Sequence, residues 1–455
     1  MWFKDKLTRN IIISVAVIAL LAGAYIWVIN IPENTPDTQT VEKTSSISVY
    51  NMNVSDVEKI YVKNPQAEYT ILNSNSGCSI KGYENIEFSA DTLANAIVSF
   101  ANPLAEREID ASELSEYGVD NPTAVVTVYG SKAENTICIG NKMVGGEGYF
   151  ILHKESGKVY LMPSGRIAMY MRTVNDYRPN VVASADITSI TKLNITKSGT
   201  PLVSIRRLNE DEKNKFSMFT SYVMTYPKYA SVQSGALDEL AVNMNMITVM
   251  QYVEDNPKNL AKYGLSSPKY VLEIETDGGS YTVSYGNKTE TGGVYAMVNG
   301  KNFVFEQSTE VYNALETLQV LRLMERYAHI IDMFEVSEIT VSGGGSTHTF
   351  ILTGNDQNKK VTVDGKAANF EKFKTTYQSI IGIEVSGFAE NINGGTEIAK
   401  IEFKYYDGNI VTARYITHNE RNYALERNGV IQSMVLKENI NAMLETVNDF
   451  AANPN

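Results

Sequence analysis

"LAKYGLSSP" at residues 260–268 repeats the pattern of "LSEYGVDNP" at residues 114–122. Gly264 can close a short helical turn in the left-handed conformation, which sets Leu260 against Leu265 as a Schellman cap, while Pro268 stops further helix. Leu114, Gly118, Val119 and Pro122 recur at the same spacing, and Tyr117 matches Tyr263. Every residue of the motif therefore has an architectural role. The competing reading is a loop that presents Tyr117 and Tyr263 to a ligand.

The match extends downstream. Tyr117 precedes Gly140 by 23 residues, as Tyr263 precedes Gly286, and each glycine opens a Gly-Asn-Lys triplet, 140–142 and 286–288. A glycine pair follows in each case, Gly145-Gly146 and Gly292-Gly293, and then a short hairpin. Upstream, "DVEKIYV" at Asp56, "DITSITK" at Asp186 and "EVSEITV" at Glu335 each begin a unit, so the chain reads as three repeats. The third keeps its hairpins, with Asp407-Gly408 matching Asp277-Gly278 and Asn428-Gly429 matching Asn299-Gly300; such pairs supply the positive φ of tight turns. It has lost both the Tyr-Gly-Leu-x-x-Pro stretch and the Gly-Asn-Lys.

Each repeat also carries an amphipathic helix ahead of its main hairpins. Apolar spacing places it at Leu93, Ile97 and Phe100, at Leu237, Leu240, Met244 and Ile247, and at Phe370, Phe373, Tyr377 and Ile380. Strands such as Ile401, Phe403, Tyr405 and Val411, Ala413, Tyr415 alternate, which predicts one buried sheet face and one wet face. The expected class is α+β: three related tandem domains at 47–180, 181–330 and 331–455, each a mainly antiparallel sheet with helices on one face.

Ahead of them, residues 11–29 form an uncharged apolar run, long enough as a helix to cross a bilayer. Lys4, Lys6 and Arg9 precede the run, which predicts a single-pass anchor over residues 1–30 with the N-terminus inside and the body extracytoplasmic. The competing reading, a cleaved signal peptide, has against it a run longer than the usual apolar core and no clean small-x-small cleavage site after it. Residues 31–46, with Pro32 and Pro36 among Thr and Ser, read as a tether.

The 52 acidic residues against 40 basic ones, a net charge of −12, argue against nucleic acid as a partner, since phosphate binding draws on Lys and Arg. Cys78 and Cys138 are the only cysteines; a bridge and two buried thiols are equally open readings. His153, His329, His348 and His418 lie scattered without metal-ligand spacing, and no nucleophile elbow or phosphate loop occurs. Ser266-Ser267-Pro268-Lys269 spells Ser-x-x-Lys, but it follows a helix end rather than opening a helix, and the first repeat keeps neither residue. The sequence nominates no catalytic, cofactor-binding or metal residue.

The Tyr-Gly-[Val/Leu]-x-x-Pro stretch, the Gly-Asn-Lys, the glycine pair and the closing hairpin together resemble the bacterial family of domain of unknown function 4340. That resemblance spans about residues 57–316 and is faint in the third repeat. It implies an anchored protein encoded beside gliding-type ABC transporter components. The expected function is therefore an interaction protein in the cytoplasmic membrane, accessory to an ABC transporter or envelope complex and contacting its permease. The alternative is an envelope hydrolase acting on glycan or peptide through carboxylates that no motif reveals.

Overall fold

The computed structural model describes residues 46–455 apart from 75–76, 216–219, 356–357, 390–391 and 393. The expected membrane helix at 11–29, and the tether except for its last residue, lie outside the described residues. Among these, no helix is long and apolar enough to cross a membrane. The chain divides into two compact units, one ending at Arg178 and one beginning at Pro179. The first holds one large antiparallel sheet and the second holds two.

All three sheets are wound alike. In the first, the strands lie in the order Gly77–Ile80, Glu68–Ser74, Val57–Lys63, Ala124–Gly130, Glu134–Lys142, Gly148–His153, Lys158–Pro163 and Arg107–Ile109. A leading meander runs outward to one edge, a helix carries the chain to the opposite edge strand, and a four-stranded meander then fills the middle. The second sheet repeats this around Ile190–Lys197 paired with Tyr270–Thr276, and the third around Val336–Gly343 paired with Glu397–Tyr405. Ile60, Leu193 and Ile339 occupy equivalent central positions opposite Val128, Ile274 and Phe403, all fully buried. Even a local irregularity recurs, since the central pairing slips by one residue after Val57, Ile190 and Val336. A bulge adds one residue and increases twist, so sharing it gives the three sheets a common bend.

One face of each sheet is closed by helices. Ala90–Ala101 starts where the Ser89 hydroxyl accepts from Thr92 N–H at 3.2 Å, and it buries Leu93, Ile97 and Phe100. Phe370–Ile381 starts at Asn369 in the same manner and buries Phe373, Tyr377 and Ile380. Capping of this kind satisfies backbone donors left open at a helix start. The second repeat corrects the expected helix. It spans only Ser234–Ala241, Met244 falls in a following 3-10 turn, and Ile247 sits on the strand Met246–Thr248. Ile247 is buried through strand pairing with Ala183, not through helical spacing.

Two further expectations need correction. Gly300, Gly408, Asn428 and Gly429 do adopt positive φ, but neither Asp277 nor Gly278 does. The other sheet face is also not simply wet. In the first repeat Val119, Cys138, Leu152 and Val159 form a second apolar cluster, and in the second repeat Tyr263, Leu265 and Val304 do the same. The segment between edge strand and central meander lies over that face.

Candidate functional site

The covering segment is the repeated motif itself. Leu260–Tyr263 forms a 3-10 turn opened by Asn259, whose Oδ1 accepts from Ala261 N–H at 3.1 Å. Gly264 ends it at φ 72°, ψ 10°, donating to the Ala261 carbonyl at 3.0 Å, while Leu265 N–H reaches the Leu260 carbonyl at 3.0 Å. These two bonds make a Schellman motif. Leu114–Tyr117 and Gly118, at φ 66°, follow the same path, with Gly118 donating to Ser115 at 3.2 Å. The apolar clasp differs between the copies. Leu260 and Leu265 share one cluster, whereas Leu114 is exposed and Val119 packs with Cys138 and Leu152 instead. After each half-buried proline, Pro122 and Pro268, the next residue enters the sheet: Thr123 donates to Ile139 at 2.7 Å and Lys269 to Tyr285 at 2.9 Å.

Beneath the cap lies Gly-Asn-Lys, and the two motifs touch. The strand pairing slips by one residue between Ile139 and Lys142, and again between Tyr285 and Lys288, so both triplets are β-bulges. A methyl group on Gly286 would overlap the Tyr263 carbonyl oxygen, and one on Gly140 would overlap that of Tyr117. In return, a methyl on Gly264 or Gly118 would stand 2.5 Å from the side chain of Asn287 or Asn141. Only glycine at both positions lets backbone approach backbone this closely. In the third sheet the corresponding strands Ile410–Thr417 and Asn422–Arg427 pair without a slip. The third repeat thus lacks the Tyr-Gly-Leu-x-x-Pro stretch in sequence and the bulge in its strand pairing.

The tyrosine rings pack in the same way in both copies. Tyr117 stands edge-on to Phe150 at 4.8 Å between ring centres, and Tyr263 edge-on to Tyr295 at 5.0 Å. The hydroxyls differ. Tyr263 donates to the Glu254 carboxylate, which also takes Lys262 Nζ at 2.7 Å; Lys262 and then Tyr263 hold that carboxyl below its usual range. The Tyr117 hydroxyl makes no hydrogen bond among the described residues. What recurs is ring packing, which stabilises a fold, and not a hydroxyl position, which would serve chemistry.

A groove of about 460 Å³ runs beside the second cap, lined in part by Lys262, Asn287, Lys288 and Glu306. Lys262, Lys288 and Glu306 are each engaged with neighbours, while Glu290 on the rim is exposed. Glu306 accepts from Thr289 Oγ1 at 2.6 Å and Thr291 Oγ1 at 2.5 Å, and Lys288 and Lys269 both pair with Glu316, at 3.4 and 2.6 Å. Lys269 is thus an ion-pair partner, and Ser266 and Ser267 are exposed. Nor do the histidines gather. His153 lies between Ser156 and Asn135, at 2.9 and 3.0 Å, and His348 pairs with Asp364 at 2.7 Å. Buried His329 contacts the Tyr415 hydroxyl at 2.5 Å. Among the described residues no three of His, Cys, Asp and Glu are grouped to hold a metal ion. Cys78 and Cys138 are free thiols four strands apart in the first sheet, about 19 Å at the usual spacing.

The family model described as Domain of unknown function (DUF4340) matches residues 79–224 and again 222–404. No curated protein and no solved structure matches. The two matches are offset from the three sheets. Each runs from the end of one leading meander through helix, cap and bulge into the next sheet, the first match stopping in the leading meander of the second sheet and the second passing through the leading meander and helix of the third. The second ends within Glu397–Tyr405, before the strands in which the third repeat lacks its bulge.

Proposed function

The chain belongs to the DUF4340 family, and we propose that it is a membrane-anchored extracytoplasmic interaction protein serving a neighbouring membrane complex, with an ABC transporter permease as the candidate partner. The observation that carries this reading is the threefold repetition of one strand order, in which the recurring residues are those that bend a sheet and cover its second face. A repeated architecture offers surface to a partner and requires no shared reacting group. The uncharged run at 11–29, preceded by Lys4, Lys6 and Arg9, supplies the anchor and sets the body outside. The acidic balance of 52 to 40 favours a protein partner over the anionic headgroups of the same membrane.

Crosslinking in intact cells, followed by mild-detergent purification of the full-length chain, tests the proposal. It should recover transporter subunits, and protease added to protoplasts should digest the body. Recovery of the chain alone, with hydrolysis of envelope glycan or peptide by the purified protein, would replace this reading with the hydrolase.

A further inference from the structure

Within the second unit, the edge strand Ala230–Ser231 of the second sheet meets Val430–Leu436 of the third. The segment joining the sheets is pinned on both sides by single bridges, Val232 to Met324 and Tyr327 to Glu384. At this junction lies a small recess of about 10 Å³, walled by Ser231, Met324, Glu325, Leu425, Arg427 and Ser433 among others. A space of that size holds about one water-sized occupant.

Arg427 is only 2% exposed, and its Nε and Nη2 have no hydrogen-bond partner in the protein. A guanidinium remains charged in proteins, and a buried charge without a partner is strongly disfavoured. Its neighbours do not supply one. Glu325 and Arg427 act on each other through space, yet no ion pair joins them among the described residues. The Tyr405 hydroxyl and His329 Nδ1, both sensed by the same guanidinium, are likewise buried without partners. Burial, then Arg427, draws His329 down to about 3, so the imidazole there is neutral.

We propose that this recess binds one small monovalent anion of halide size, chloride in practice, held by Arg427 where Ser231 of the second sheet and Ser433 of the third wall the space, and that the ion fastens the second repeat to the third. Charge decides the class, since a buried guanidinium without a counter-ion calls for an anion. Phosphate, sulfate or a peptide carboxylate exceeds the space, and chloride, larger than water, is the smallest abundant monovalent anion. A groove of about 400 Å³ adjoins the recess and shares Met324, Glu325 and Val385 with its walls. The inference is independent of the transporter reading, since it concerns how two repeats are joined.

The test uses the full-length protein in mild detergent. Raising chloride from about 1 to about 300 mM, with gluconate holding ionic strength constant, should lift the unfolding midpoint by about 2 °C or more. A crystal grown in bromide should show anomalous scattering beside Arg427. Arg427→Met should abolish the chloride response. Glu325→Gln, which leaves the guanidinium in place and removes a like charge from the wall, should lower the half-saturating chloride concentration by about threefold. A wild-type bromide crystal without scattering at Arg427 would overturn the proposal. So would melts indifferent to chloride together with a lowered midpoint for Glu325→Gln, the result expected if Glu325 is the counter-charge.

Discussion

Gly264 and Asn287 occupy adjoining space so closely that a methyl on Gly264 would lie 2.5 Å from Asn287 Oδ1 and 2.9 Å from its backbone nitrogen. The cap that ends a 3-10 turn and the bulge that bends the strand beneath it are thus one device. Gly118 and Asn141 repeat the relationship in the first unit, at 2.5 Å. The device covers the sheet face that helices leave open, and that architectural role accounts for the recurring tyrosine, glycine and proline.

Gly286→Ala should be among the most damaging single changes in the second repeat. The added methyl meets the Tyr263 backbone carbonyl, which cannot swing aside as a side chain can. A loss of about 3 kcal/mol or more is expected in urea unfolding, as for other overpacked or strained core sites. Gly278→Ala is the control: it has neither a close neighbour nor a positive φ, and its cost should stay within about 0.5 kcal/mol. Equal effects of the two substitutions would contradict the close approach.

Tyr117→Phe should be neutral and Tyr263→Phe should cost no more than about 1 kcal/mol, since only the second hydroxyl has a partner, Glu254. Tyr→Ala at either position should cost about 3 kcal/mol or more by removing the ring from Phe150 or Tyr295. Thermal melts of the four variants check this. A Tyr117→Phe variant as destabilised as Tyr117→Ala would return the hydroxyl to consideration as a working group.

The cap was legible in sequence because its determinants are local: a glycine at the one position that needs positive φ, apolar residues on either side, and a proline beyond. The helices at 90–101 and 370–381 were legible through their apolar period. The contact between cap and bulge was not, because the constant 23-residue spacing from Tyr to Gly gives separation along the chain and says nothing of approach in space. Ile247 misled because a buried strand residue can fall by chance on a helical period. The third repeat is the most eroded in sequence, yet its strand order is intact. Alternating strands and a common central slip specify the sheet without cap or bulge. Arg427 sits in a hairpin whose sequence carries no sign of its burial, since burial of a charge is a property of neighbours far along the chain.

Acid should weaken the third repeat through His329. The folded value of about 3 lies below the ordinary histidine value, so the unfolded chain takes up a proton first as pH falls. The stability linked to this group is full above about pH 6.5 and declines at up to about 1.4 kcal/mol per unit as pH drops toward the folded value. His329→Met should flatten that limb of a stability-versus-pH curve, whatever its effect at neutral pH. An unchanged slope would show that the imidazole is not held neutral in the fold.

The most direct measurement is a double-mutant cycle on Gly264→Ala and Asn287→Ala, read by urea unfolding of the full-length protein. If cap and bulge form one device, removing the Asn287 side chain relieves part of the clash at residue 264. The double variant should then lose less than the sum of the single losses by about 1 kcal/mol or more. Additivity within about 0.5 kcal/mol would contradict the account, because the two motifs would then stabilise the sheet without acting on each other.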